Sequence, residues 1–341
     1  MLFWTIFIFI VYVTCLPFAW NNHKYTGLKA LCGIFIIAIS TLRFDIGWDY
    51  QTYFNIIKYP DYSIDRMEPL SKLIFNLALY FKSPILLFGI FSILTYSLVI
   101  YSCYKYTKEA GLSLIVYLGL FYLPSLSIIR QGLAIAVIIF AVRFIQRKSY
   151  LKYYISIIVA FLFHYSAIVA IIFPLFYKTA NLKTVFIYSL IIIIGFKFIL
   201  EYVVSQYMPY YSVYLSSDFG GGSLLNLLLL IINSVGFILS YRNFGQSDIT
   251  KLSIIPLIGS LCALCLPGGM GVRLASYFYI PLCYTVPAIC KEYSRNITYI
   301  CGLFFVSIFL FTVYVDSHNT KSSLSPYQSI LTVDISNPHW K

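Results

Sequence analysis

Charge is what this sequence has least of. Aspartate, glutamate, lysine and arginine make up 11% of its 341 residues, with 12 acidic side chains and 4 histidines, against 60% hydrophobic residues and a mean hydropathy of +0.83. So little polar surface excludes a soluble globule and points to an all-α, polytopic integral membrane protein. No soluble domain can be cut out, so residues 1–341 read as one membrane domain. Familiar catalytic signatures are missing too. The GGMG and FGGG runs lack the strand, helix and lysine of a phosphate-binding loop. There is no HExxH, no zinc spacing and no GxSxG elbow, so no cofactor and no metal is expected. All eight cysteines fall in apolar runs; Cys262 and Cys265 form a CxxC without histidine or acidic neighbours and read as packed thiols. The first apolar run lacks a basic flank and a small-residue cleavage site, so it reads as a retained helix. The net charge of +12 reports membrane topology rather than nucleic acid.

What is there in abundance is apolar runs of spanning length. A helix needs about 20 apolar residues to cross a bilayer. Runs at 2–20, 27–42, 84–104, 111–128, 131–146, 184–203, 224–241, 252–266, 274–290 and 297–315 suit about 10 spans. Two segments fit less simply. In 68–81, Leu70, Leu73, Ile74, Leu77 and Ala78 share one helical face, which suits a short interfacial helix. The run 153–176 carries His164 and Ser166 at its midpoint, and is either one span or a re-entrant helix pair. Lysine and arginine favour cytoplasmic loops, and the re-entrant reading puts fourteen of the 24 basic residues on the inner side, whereas a single crossing evens them out. The re-entrant reading is therefore preferred. It places the loop and interfacial helix of 43–83, the aromatic loop 204–223 and the tail 316–341 in the periplasm, with most of the acidic residues.

The stretch RFDIGWDYQTYF, residues 43–54, breaks the apolar pattern. Arg43 is either a snorkelling helix end or part of a site. Asp45 and Asp49 can accept hydroxyl protons, Gly47 permits a turn, and Trp48, Tyr50 and Tyr53 offer ring faces for sugars. Arg130 and Gln131 sit at the outer end of an apolar hairpin. Arg273 follows three glycines that would let backbone N–H groups approach an anion. Three outward arginines could surround a diphosphate, since guanidinium pairs bidentately with phosphate oxygens; pairing with Asp45, Asp49 or Glu68 is the competing account. His164 is the histidine that lies within an apolar segment, either hydrogen-bonded in the core or active as a base.

Taken together, these residues resemble the EpsG family of Wzy-like polysaccharide polymerases. The resemblance rests on Arg43, Asp45, Gly47, Asp49, Tyr50 and Tyr53, then Glu68-Pro69, Ile129-Arg130-Gln131 with Ala134, Phe163-His164-Tyr165-Ser166-Ala167, Arg273 before Tyr277-Phe278, and Pro326-Tyr327. One departure is Leu70 where the family more often has glycine. The resemblance implies a GT-C-like polymerase of O-antigen or exopolysaccharide in the bacterial inner membrane. It would join oligosaccharide repeat units carried on undecaprenyl diphosphate, as donor and acceptor, without nucleotide sugar or metal. Membrane lipids and a chain-length regulator protein are its implied partners. Within that frame Asp49 is the favoured base, with Asp45, Glu68 and His164 as competitors. Arg43, Arg130 and Arg273 form the diphosphate clamp, and Trp48, Tyr50, Tyr53, Gln131 and Tyr277 guide sugars. An O-antigen ligase is disfavoured by short outer loops, a flippase or transporter by the lack of a repeat, and an acyltransferase by the solitary histidine.

Overall fold

The computed structural model describes residues 1–19, 26–59, 64–178, 223–266, 268–319 and 322–333, with a few positions between 187 and 206. Among the described residues the chain is a helical bundle, and six of its helical stretches are long and apolar enough to cross a membrane. It begins with α1 (Leu2–Ala19) and α2 (Thr26–Leu42), then a two-residue strand β1 (Arg43–Phe44) and the short helices α3 (Tyr50–Lys58) and α4 (Pro69–Tyr80). The long α5 (Pro84–Tyr106) follows, then α6 (Ala110–Tyr117), which widens into a π turn at Leu118–Tyr122 before α7 (Leu123–Ser127). The wide turn sits just ahead of Pro124, which cannot donate into a regular α ladder. Next come α8 (Ile129–Gln146), α9 (Tyr150–Phe163), a 3₁₀ segment (Tyr165–Ile172) and α10 (Phe173–Lys178). The last helices are α11 (Ser223–Phe244), α12 (Asp248–Cys265), α13 (Gly268–Phe278), α14 (Leu282–Tyr293) and α15 (Arg295–Ser317). The expected span at 274–290 is broken into α13 and α14 at Pro281, whose ring disfavours helical backbone at the residue before it. Most of the expected loop 204–223 and of the expected span 184–203 lies outside the described residues.

Charged groups separate to two ends of the bundle. At one end Lys291 pairs with Glu109 at 3.1 Å and Lys108 with Glu292 at 3.7 Å. The other end gathers β1, the α7–α8 junction, the start of α4 and the tail beyond α15. The segment 150–178 turns back on itself. The Tyr153 hydroxyl donates to the Ala170 carbonyl at 2.5 Å, although a straight helix rising ~1.5 Å per residue would set those residues ~25 Å apart. His164, extended at φ −157° and ψ 118°, is the tip of this hairpin.

The tail is more ordered than a plain loop. Its residues Gln328–Ser329 form β2 and pair antiparallel with β1, Arg43 opposite Ser329 and Phe44 opposite Gln328. The Asp316 carboxylate accepts from Ser322 and Ser323 hydroxyls and from the Ser323 and Leu324 amides at 2.8–3.0 Å. Tyr327 stacks on Phe3 with ring centroids 3.8 Å apart, and the Trp4 indole donates to the Leu324 carbonyl at 2.6 Å. The amphipathic face expected of α4 divides. Ile74 and Ala78 are buried with Ser71 and Phe75, because the Ser71 hydroxyl docks on the Phe163 carbonyl at 2.8 Å. Leu73 and Leu77 face outward, 63% and 42% exposed.

The loop between β1 and α3 is fixed by Gly47. Its φ is +106°, a region glycine occupies freely, and an added Cβ would lie 2.5 Å from the Leu126 carbonyl oxygen. Its amide also donates to Ser323 at 2.9 Å, tying loop to tail. Gly47→Ala is therefore expected to lower stability by about 2–3 kcal/mol through strain and clash together, read as a lower melting temperature of the purified protein in detergent.

Candidate active site

A single carboxylate organises the polar end. Glu68 precedes Pro69 at the start of α4, and proline both fixes its own φ and holds the preceding residue extended, here φ −60° and ψ 144°. That geometry turns the Glu68 side chain inward, where it is 3% exposed. One oxygen, Oε2, accepts from Arg130 Nη1. The other, Oε1, meets His164 Nδ1 at 2.8 Å and the Tyr165 amide at 3.4 Å. Three remote parts of the sequence, the starts of α4 and α8 and the tip of the α9 hairpin, thus meet on one group.

Around this core stand further predicted residues. The Tyr53 phenol of α3 lies in the field of the Arg130 charge. Asp49 lies in the field of Arg273 and Arg130. Gln131 donates from Nε2 to the Arg273 carbonyl at 3.3 Å and to the Ser276 hydroxyl at 3.0 Å, which joins α8 to α13. The hydroxyls of Tyr277 and Ser166 are 2.9 Å apart, joining α13 to the hairpin. Arg130 Nε and Gln131 Oε1 are buried without a hydrogen-bond partner among the described residues.

Other predicted residues are placed elsewhere. Arg43, expected in a diphosphate clamp, is 1% exposed and is turned onto backbone carbonyls instead. Its guanidinium donates to the carbonyls of Ser40, Ile46 and Leu126 and to the Ser92 hydroxyl, and lies 4.8 Å above the Phe88 ring. The loop needs those carbonyls satisfied more than it needs an outward cation. Tyr50 is buried too, its ring stacked 4.3 Å from Phe88, so it has no open face for a sugar. Asp45 sits at φ +52° and accepts from Gln51 at 3.1 and 3.3 Å. Trp48 is 56% exposed, and its amide donates to the Ser127 hydroxyl at 3.1 Å. Ser166 and Ser276 matter more than their sequence signal suggested. Ser276 lies three residues after Arg273, one helical turn on, and that spacing in an apolar run is the clue that could have found it.

Electrostatics follow the packing. Burial pushes the Glu68 carboxyl up, but the His164 hydrogen bond and the Arg130 charge outweigh it and hold the group at about 2. Asp49 moves the other way: burial raises its carboxyl, and the charges of Arg273 and Arg130 offset that only in part. Burial pushes the Tyr53 phenol up to about 12, so it stays a neutral donor. A carboxylate held low in the fold stabilises it fully above the ordinary glutamate value and loses that contribution as pH falls through about 2. Glu68 should therefore stay ionised down to the edge of acid unfolding. Glu68→Gln leaves Arg130 charged without its buried partner and is expected to cost about 3 kcal/mol at neutral pH. That loss should shrink as pH is lowered toward 2 in a melting series, because the wild type then loses the same interaction.

No curated protein and no solved structure matches this chain. The model of the EpsG family does, over residues 28–329, a span that holds every member of the cluster just described. The chain belongs to the EpsG family.

Proposed function

We propose that this protein is a polysaccharide polymerase of the multi-pass membrane type, joining lipid-linked oligosaccharide repeat units by glycosyl transfer. The observation that carries the reading is the Glu68, Arg130 and His164 cluster at one end of an apolar bundle, with Arg273, Asp49 and Gln131 beside it. Glycosyl transfer from a lipid diphosphate needs fixed positive charge where the leaving oxygen develops negative charge. Arg130 and Arg273 supply it, and the buried Nε of Arg130 adds a donor awaiting an acceptor. Asp49, in the field of both arginines, is the counter-charge that holds them ready until diphosphate arrives. Trp48, the exposed ring of the loop, is a stacking face for a sugar. Tyr53, Gln131 and Tyr277 shape the site rather than stack. Arg43 and Tyr50 hold the loop that carries it.

About 10 spans with a re-entrant pair, in a GT-C-like arrangement, sit in the bacterial inner membrane with the cluster facing the periplasm. Donor and acceptor are oligosaccharides on undecaprenyl diphosphate whose tails lie among membrane lipids. The transfer needs no metal, since guanidinium groups take the diphosphate charge, and a chain-length regulator protein is a further partner.

A strain deleted for the gene, complemented with wild type or variants at matched membrane levels, tests the reading on a gel of surface polysaccharide. Wild type should restore a ladder and Arg130→Ala should leave single-repeat units. Arg130→Lys keeps the charge but loses the planar fork, so the polymeric fraction should fall by about 10-fold or more. If the deletion removes even the single capped unit, the protein acts earlier as a flippase or later as a ligase.

A further inference from the structure

Glycosyl transfer also needs a group to take the proton of the attacking hydroxyl, and the cluster narrows the choice. Glu68 has both oxygens engaged. Asp45 is bonded through both oxygens to Gln51. Asp49 feels the positive charge of Arg130 and Arg273, the cations proposed to hold the lipid diphosphate, and so has the counter-charge role given to it above. A base is needed at the attacking hydroxyl, with a lone pair open to take its proton.

His164 differs from all three in what its ring atoms touch. Glu68 is ion-paired to Arg130 and is a carboxylate. A carboxylate only accepts hydrogen bonds. The 2.8 Å contact from Glu68 Oε1 to His164 Nδ1 therefore requires a hydrogen on Nδ1. In a neutral imidazole the lone pair is then on Nε2. Nε2 has no hydrogen-bond partner among the described residues, and the side chain is 18% exposed. The backbone fixes the ring as well. His164 ends α9 through its amide on the Ala160 carbonyl at 2.9 Å, and its own carbonyl takes the Ala167 amide at 3.0 Å.

We infer that Glu68 is a positioning residue that holds His164 in the Nδ1–H tautomer, and that His164 Nε2 is the proton acceptor for the acceptor sugar hydroxyl. This rests on the polymerase reading. As the hydroxyl oxygen bonds to the anomeric carbon, Nε2 takes its proton and the bond from that carbon to the diphosphate oxygen breaks. The electron pair leaves on the lipid diphosphate beside Arg130 and Arg273, and the imidazolium then returns its proton to water. Arg130 serves twice in this arrangement: it keeps Glu68 ionised, which sets the tautomer, and it faces the leaving group.

The test uses the full-length protein in proteoliposomes with a lipid-diphosphate-linked repeat unit, reading polymer formed over time. His164→Asn places an amide N–H where Nδ1–H was, so the contact to Glu68 survives while the lone pair is lost. Turnover should fall by about 100-fold or more with the melting temperature unchanged. In His164→Ala, added imidazole should restore polymer formation, which a purely structural ring would not allow; this second variant decides the matter if His164→Asn does not fold. Turnover above a tenth of wild type in His164→Asn, or no response of His164→Ala to imidazole, would overturn the assignment while leaving a polymerase in place. Wild-type protein that makes no polymer would instead remove the polymerase reading, and this inference with it.

Discussion

The polar end of the protein depends on one buried carboxylate. A charge withdrawn from water is tolerated only where partners replace its hydration, and Glu68 finds two, Arg130 and His164, on elements 62 and 96 residues away in sequence. The requirement works in both directions. Glu68 cannot be buried unless α8 begins where it does and the α9 hairpin turns at His164, and neither Arg130 nor His164 could sit so deep without Glu68. A cluster of this kind fixes relative positions more sharply than apolar contacts do, since Leu, Ile and Phe surfaces slide with little loss whereas an unpaired charge costs several kcal/mol.

Arg43 plays the same part for backbone rather than for charge. The last turn of α2 at Ser40, the loop after β1 at Ile46 and the end of α7 at Leu126 leave carbonyls facing a low-dielectric interior, and the guanidinium bridges them. Among the described residues none of its hydrogen-bond partners is acidic, and carbonyl dipoles and the face of Phe88 surround its positive charge. The tail then closes the loop from outside through β2 and the Gly47 to Ser323 bond. Asp49 and Trp48 are thus presented on a loop held on two sides, which is how a short connection can carry groups that must keep a fixed geometry.

Much of this was legible in the sequence, for physical reasons. Scarce charge and recurrent apolar runs give the helical membrane bundle directly. The ordered motifs around Asp49, Glu68, Arg130, His164 and Arg273 give the family and most of the cluster. What the sequence hides is partnership. Nothing in RFDIGWDY distinguishes an arginine turned inward onto carbonyls from one turned outward to a phosphate, since both occupy the end of an apolar run. The face of α4 was hidden for a related reason: Leu73 and Ile74 are equally apolar, and only the docking of Ser71 on Phe163 decides which is covered. The pairing of the tail with Arg43–Phe44 joins residues nearly 290 apart, beyond the reach of any local pattern.

The hairpin of 150–178 links fold to chemistry. A through-going helix would carry His164 to mid-depth and leave it among apolar side chains, where a titratable ring is costly and idle. Turning the chain back at that residue opens the backbone at the tip, lets Ser166 reach Tyr277, and sets the ring against Glu68. The 3₁₀ winding of the returning arm belongs to the same solution, since it starts at the residue whose amide also points at Glu68. One irregular turn therefore supplies two of the donors that make a buried carboxylate stable. The carboxylate in return orients the histidine, so that local irregularity and buried charge are parts of one structural decision.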